Sequence, residues 1–93
     1  MKARLMLREH RGLNDQAFVE LVVWQLPAPL PGSTHFYKYR LAYVVEGCCV
    51  LRYDNEPGKG DHKHLGEAEF AYEFTTPQAL LNDFWTDVDN WRP

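Results

Sequence analysis

A chain of 93 residues has room for one domain, 1–93, and buries only about 60–65% of its unfolded surface on folding. Its 45% apolar content suits an ordinary globular core, and no apolar run approaches the roughly 20 residues of a membrane span. A formal net charge of −3 excludes a uniformly basic nucleic-acid binder.

The charge is nonetheless divided. Residues 1–66 hold nine Lys and Arg against seven Asp and Glu, a net of +2, whereas residues 67–93 hold one Arg against six acids, a net of −5. A polyanion can meet the first part and a basic partner the second. The start, Met1-Lys2-Ala3-Arg4-Leu5, lacks the apolar block of a signal peptide, so a cytoplasmic location is expected. Cys48 and Cys49 are adjacent, and strand neighbours point to opposite faces. They read as two reduced, mostly packed thiols.

In chain order, residues 3–9 predict a short strand with Leu5 and Leu7 on one face and Arg4, Met6 and Arg8 on the other. Residues 11–15 read as a turn. Residues 16–26 form a nearly continuous apolar run of β-branched and aromatic residues, Ala17 to Trp24, interrupted by Glu20. That pattern predicts a central strand covered on both faces. Pro27, Pro29 and Pro31 favour an extended connector. From Phe36 to Val44, Tyr37, Tyr39, Leu41 and Tyr43 alternate with Lys38, Arg40 and Ala42, the mark of a half-buried strand with a basic outer face.

Residues 48–54 are its expected hairpin partner. A three-residue loop with Gly47 in a bulge pairs Arg40 with Arg52 and Lys38 with Asp54, placing Lys38, Arg40 and Arg52 on one face. Like charges set opposite each other call for an anion or a bridging carboxylate. Residues 67–74 alternate again, with Ala68, Phe70, Tyr72 and Phe74 facing in and the glutamates out. Thr76 as cap and Pro77 at the first helical position open a helix whose stripe is Leu80, Leu81, Phe84, Val88 and Trp91. Asp83, Asp87 and Asp89 lie off that stripe. The predicted class is α+β: a mostly antiparallel five- to six-stranded sheet with one C-terminal helix packed on one face.

The densest chemistry lies between Arg52 and His64, read as a loop leaving the sheet: R-Y-D-N-E-P-G-K-G-D-H-K-H. His62 and His64 point the same way on an extended chain. Three readings compete. Two imidazoles at this spacing can share a zinc with Asp54 or Asp61, although no further ligand set is evident. They can act as base and acid in metal-independent RNA cleavage, with Arg52, Lys59 and Lys63 on the phosphate. Or they are solvated surface residues. Gly58-Lys59-Gly60 lacks the spacing of a phosphate-binding P-loop. Asp54-Asn55 reads as an Asx-type turn. His35 comes beside this stretch in the hairpin register, while His10 reads as surface.

The runs H-F-Y-K-Y-R-L-A-Y-V at 35–44, R-Y-D-N-E-x-G-K-G-D-H-K-H at 52–64, L-L-x-D-F-W at 80–85 and L-P-x-P-x-P-G at 26–32 resemble the TumE family of toxins from toxin–antitoxin modules. The resemblance implies a small cytoplasmic toxin with a helix-turn-helix antitoxin as partner, arresting growth through RNA cleavage linked to translation, with RNA met on or off the ribosome. Chemistry assigns His62, His64, Lys59 and Arg52 to catalysis and Lys63, Arg40, Lys38 and His35 to substrate binding. No cofactor or membrane is called for, and a homodimer is left open. The alternative is a non-enzymatic module that binds nucleic acid or protein through the same basic face. A metal-dependent hydrolase is the third reading.

Overall fold

A computed structural model describes residues 2–93. Strands β1 (Arg4–Asn14), β2 (Ala17–Gln25), β3 (Tyr37–Val45), β4 (Cys48–Glu56), β5 (Gly60–Leu65) and β6 (Ala68–Ala71) form one antiparallel sheet in sequence order, followed by helix α1 (Pro77–Asn90). The α+β class and the single C-terminal helix are as predicted. Among the described residues, no helix is long and apolar enough to cross a membrane.

Alternation along the strands puts Val19, Leu21, Val23, Tyr39, Leu41, Leu51 and Tyr53 on one face. Leu80, Phe84 and Val88, spaced by four on α1, close over them. The Thr76 hydroxyl accepts the Ala79 N–H at 3.1 Å and Pro77 opens the helix, so its start is local chemistry. Its aspartates are not idle. Asp83 and Asp87 turn towards the β5–β6 side of the sheet, where Tyr72 donates to Asp83 at 2.6 Å and Lys63 to Asp87 at 2.9 Å. The Tyr53 hydroxyl also donates to Asp87.

Several expectations shift. β1 runs through Asn14, so the turn is Asp15-Gln16 rather than 11–15. A bulge between Leu5 and Leu7 reverses the parity of β1: Leu5 pairs with Trp24 and Leu7 with Val23, so the two leucines lie on opposite faces. β2 is covered on one face only. Its even positions, Phe18, Glu20, Val22 and Trp24, are half-buried on a face that no other element covers. The β3–β4 turn is two residues, with φ of 51° at Glu46 and 79° at Gly47, the double positive φ of a type I′ turn. A bulge at Val50 then restores the face parity, giving Ala42↔Arg52 and Arg40↔Asp54 instead of Arg40↔Arg52. The expected clash of two arginines is therefore an arginine opposite a carboxylate. Both cysteines follow the Glu46-Gly47 turn at the hairpin tip, opposite Val45 and Val44, and are exposed rather than packed.

β6 is shorter than the 67–74 alternation suggests, and Phe70 is 48% exposed, because α1 lies across β3 and β4 and leaves the β6 edge uncovered.

Candidate functional site on the open face of the sheet

The stretch from Arg52 to His64 is a β-hairpin, not a loop. β4 continues through Asp54 and Asn55 to Glu56, and β5 starts at Gly60. Pro57 and Gly58, with φ of 77° at Gly58 and the Lys59 N–H donating to the Glu56 carbonyl at 3.1 Å, fit a type II turn. The Gly58 N–H donates to the Pro31 carbonyl at 2.7 Å, which ties the proline connector to this turn. Asn55 is 3% exposed and makes no Asx turn. Its side chain accepts the Tyr39 N–H at 3.0 Å and donates to the Tyr37 carbonyl at 2.8 Å, so it joins β3 to β4 where the backbone ladder ends.

Register then decides which residues share a face. One row across the sheet reads Arg8, Val22, Arg40, Asp54, His62 and Ala71, and the next reads His10, Glu20, Ala42, Arg52, His64 and Glu69. A shorter row, Leu5, Trp24 and Lys38, lies on the other side of the first. All are on the face opposite α1. Of the sequence-predicted residues, His62, His64, Arg52, Arg40 and Lys38 are thus brought onto one surface.

Around the imidazoles the charges alternate. His62 Nε2 is 3.6 Å from a Glu69 carboxylate oxygen. His64 has a carboxylate oxygen facing each ring nitrogen: Asp54 3.7 Å from Nε2 and Glu69 3.9 Å from Nδ1. Arg52 Nε is 3.0 Å from Asp54 Oδ2 but is not aligned to donate to it, so the contact is an ion pair without a proper hydrogen bond. Among the described residues, the terminal guanidinium nitrogens of Arg52 make no hydrogen bond, and Arg8, Lys38 and Arg40 make no ion pair or hydrogen bond. No group of three or more His, Cys, Asp or Glu side chains among the described residues is placed to hold a metal ion.

Three predicted residues fall elsewhere. Lys63 is one position off the histidines and therefore points to the helix side, where its ammonium meets Asp87 and lies 5.6 Å from the Tyr53 ring centre. Lys59 sits on the turn, 3.3 Å from Glu56 and largely exposed. His35 is also on the helix side, stacked on Phe74 with ring centres 4.0 Å apart. Its Nδ1 accepts the Tyr37 N–H at 3.1 Å, which leaves Nε2 to carry the proton and donate to Asp61 at 2.8 Å. The Tyr39 hydroxyl donates to the same Asp61 oxygen at 2.7 Å. Burial first, and then the bond to Asp61, push the Tyr39 phenol far above its usual range. Burial and the aspartate bonds to Asp87 and Asp83 do the same for Tyr53 and Tyr72.

Glu69 and Trp24 escaped the sequence reading. The two-residue Gly66-Glu67 turn pairs His64 with Glu69, so the turn itself was the signal for the carboxylate. The half-buried even positions of β2 were the signal for Trp24, hidden because the apolar run reads as buried throughout. The acidic C-terminal part is consequently not remote from the site: Glu69 lies over both histidines.

Fold and site together define a small single-sheet α+β protein, helix-covered on one face and carrying imidazoles, cations and carboxylates on the other. The family described as Toxin TumE matches residues 2–92, and the chain belongs to that family: it is a toxin of a toxin–antitoxin module, with an antitoxin as partner. Neither the curated proteins nor the solved structures gave a match.

Proposed function

We propose that the toxin cleaves RNA on the open face of its sheet, with His62 and His64 as the base and acid pair. The observation that supports this most is the placement of both imidazoles on one face of β5, with Arg52 directly across from His64. Two strand residues separate them by about 6.6 Å, enough for a phosphodiester between the rings. One imidazole takes the 2′-hydroxyl proton as that oxygen attacks phosphorus. The other gives a proton to the departing 5′-oxygen, leaving a 2′,3′-cyclic phosphate. The free guanidinium nitrogens of Arg52 face the charge that builds on the phosphoryl oxygens. Glu69 and Asp54, within 3.6–3.9 Å of the ring nitrogens, orient the rings. Lys59, at the turn beside this face, is an exposed outer contact, whereas Lys63 and His35 act in packing.

In this reading the target is cellular RNA, met in the cytoplasm on or off the ribosome, and a helix-turn-helix antitoxin restrains the toxin. Replacing both histidines, His62→Ala with His64→Ala, removes cleavage by at least about 10⁴-fold, since each proton transfer contributes roughly 10²–10⁴. The rate of the parent follows a bell-shaped pH curve in the imidazole range. Retained growth arrest and RNA cleavage in the double variant would refute the reading. A non-catalytic RNA-binding toxin is distinguished in the same assay: growth arrest persists without cleavage products, and binding shows a salt slope but no bell-shaped pH profile.

A further inference from the structure

The open face carries more than the histidine cluster needs. Trp24 pairs with Lys38 across β2 and β3, and Arg8, Val22 and Arg40 form the adjoining row. The three cations Arg8, Lys38 and Arg40 are exposed and, among the described residues, unpaired. Acids on the same face are not spread evenly. Glu20 lies in the other row, held by His10 at 3.3 Å, and Glu69 lies at the far edge on β6. The track from His62 through Arg40 to Lys38 and Trp24 therefore meets cations and an indole, and its carboxylates, Asp54 and Glu56, are already paired with Arg52 and Lys59.

A phosphate chain favours that track over the Glu20 row by charge alone. Three strand spacings of about 4.8 Å separate β2 from β5, so the indole lies on the order of 14 Å or more from the histidines, a few nucleotides away. A Watson–Crick duplex hides its base faces, so a flat ring beside a phosphate contact suits an unpaired base.

We infer that Trp24, Lys38, Arg40 and Arg8 form a subsite for single-stranded RNA that flanks the cleaved bond, with Trp24 stacking on a base and the cations holding adjacent phosphates. The inference rests on the RNA-cleaving reading of this face and extends it to the class of RNA and to the residues that select it.

The probe is a labelled 2′-O-methyl oligoribonucleotide of mixed sequence, which binds but lacks the 2′-hydroxyl nucleophile, followed by fluorescence anisotropy with the full chain. Trp24→Leu keeps apolar bulk but loses the ring, and weakens binding by about 5- to 150-fold. Trp24→Phe keeps a ring and stays within about threefold of the parent by the same logic. Lys38→Ala with Arg40→Ala flattens the plot of log affinity against log salt by up to about 1.4, two phosphates at roughly 0.7 each. The same sequence annealed to its complement binds more weakly than the single strand. Binding unchanged in Trp24→Leu, an unchanged salt slope, or a preference for duplex would each overturn the subsite. Because the probe is not cut, its result is independent of whether His62 and His64 prove catalytic. Cleavage surviving their loss would end the catalytic reading and leave the binding result standing.

Discussion

The two faces of this one sheet handle charge in opposite ways. Under α1, each carboxylate in or against the core has a donor: Asp61 takes His35 and Tyr39, Asp83 takes Tyr72, and Asp87 takes Tyr53 and Lys63. Across the sheet, Arg8, Lys38 and Arg40 stand without partners among the described residues, and Arg52 holds its aspartate without a well-aligned bond. Where the covered face is most buried, as at Asp61, an unmatched polar group would cost about 1–3 kcal/mol, so pairing there is compulsory. On the open face water solvates any charge, and unmatched cations are cheap to keep. Charge serves packing on one side and remains available to a ligand on the other.

That contrast breaks most visibly at Phe84, buried in the centre of the helix face and edge-on to Tyr53 at 5.7 Å. Phe84→Ala should destabilise the fold by about 3–5 kcal/mol, enough to threaten a domain of this size. Thermal melting checks it, while Arg40→Ala on the open face should leave the melting temperature nearly unchanged. If both variants lowered it equally, the division between the faces would fail.

Alkaline unfolding is the next largest effect. The phenols of Tyr39, Tyr53 and Tyr72 are all held above their usual range by burial and by bonds to aspartates. Above about pH 10 the unfolded chain loses phenolic protons that the folded protein keeps. Stability is therefore fully present below pH 10 and falls as pH rises, by up to about 1.4 kcal/mol per pH unit for each tyrosine that remains protonated. Denaturant titrations between pH 9 and 11 would read the slope; a flat profile would mean that these hydroxyls are solvated.

The smallest effect is the most diagnostic. Lys63 lies between the two histidines in sequence yet points to Asp87. Lys63→Met should cost less than about 1 kcal/mol of stability, because the pair is partly exposed, and should leave the RNA-cleavage rate within about twofold. A large loss of rate with normal stability would return Lys63 to the site.

Much of this was legible from local patterns. The tyrosine alternation in β3, the Thr76-Pro77 helix start and the stripe Leu80, Phe84 and Val88 all appear in the structure where the pattern put them. So does the shared face of Lys38, Arg40 and Arg52, although its register is two residues away from the expected one. The histidines face the same way because a strand has period two, whether it is called a loop or β5. What local pattern missed were bulges and distant partners. The Leu5–Leu7 irregularity and the bulge at Val50 each change side-chain parity, and nothing in the flanking residues announces them.

Sequence alone therefore determined most of the elements, the class and the density of imidazoles and cations in one stretch, since these depend on periodicity, capping and composition, while ordered motifs carried the family resemblance. Only the tertiary structure decided that Lys63 and His35 lie on the helix side, that Glu69 and Asp54 stand beside the histidines, and that Trp24 shares their face. The reason is register: one residue of slip carries every side chain of a strand to the other face, and register is set by pairing between strands rather than within them.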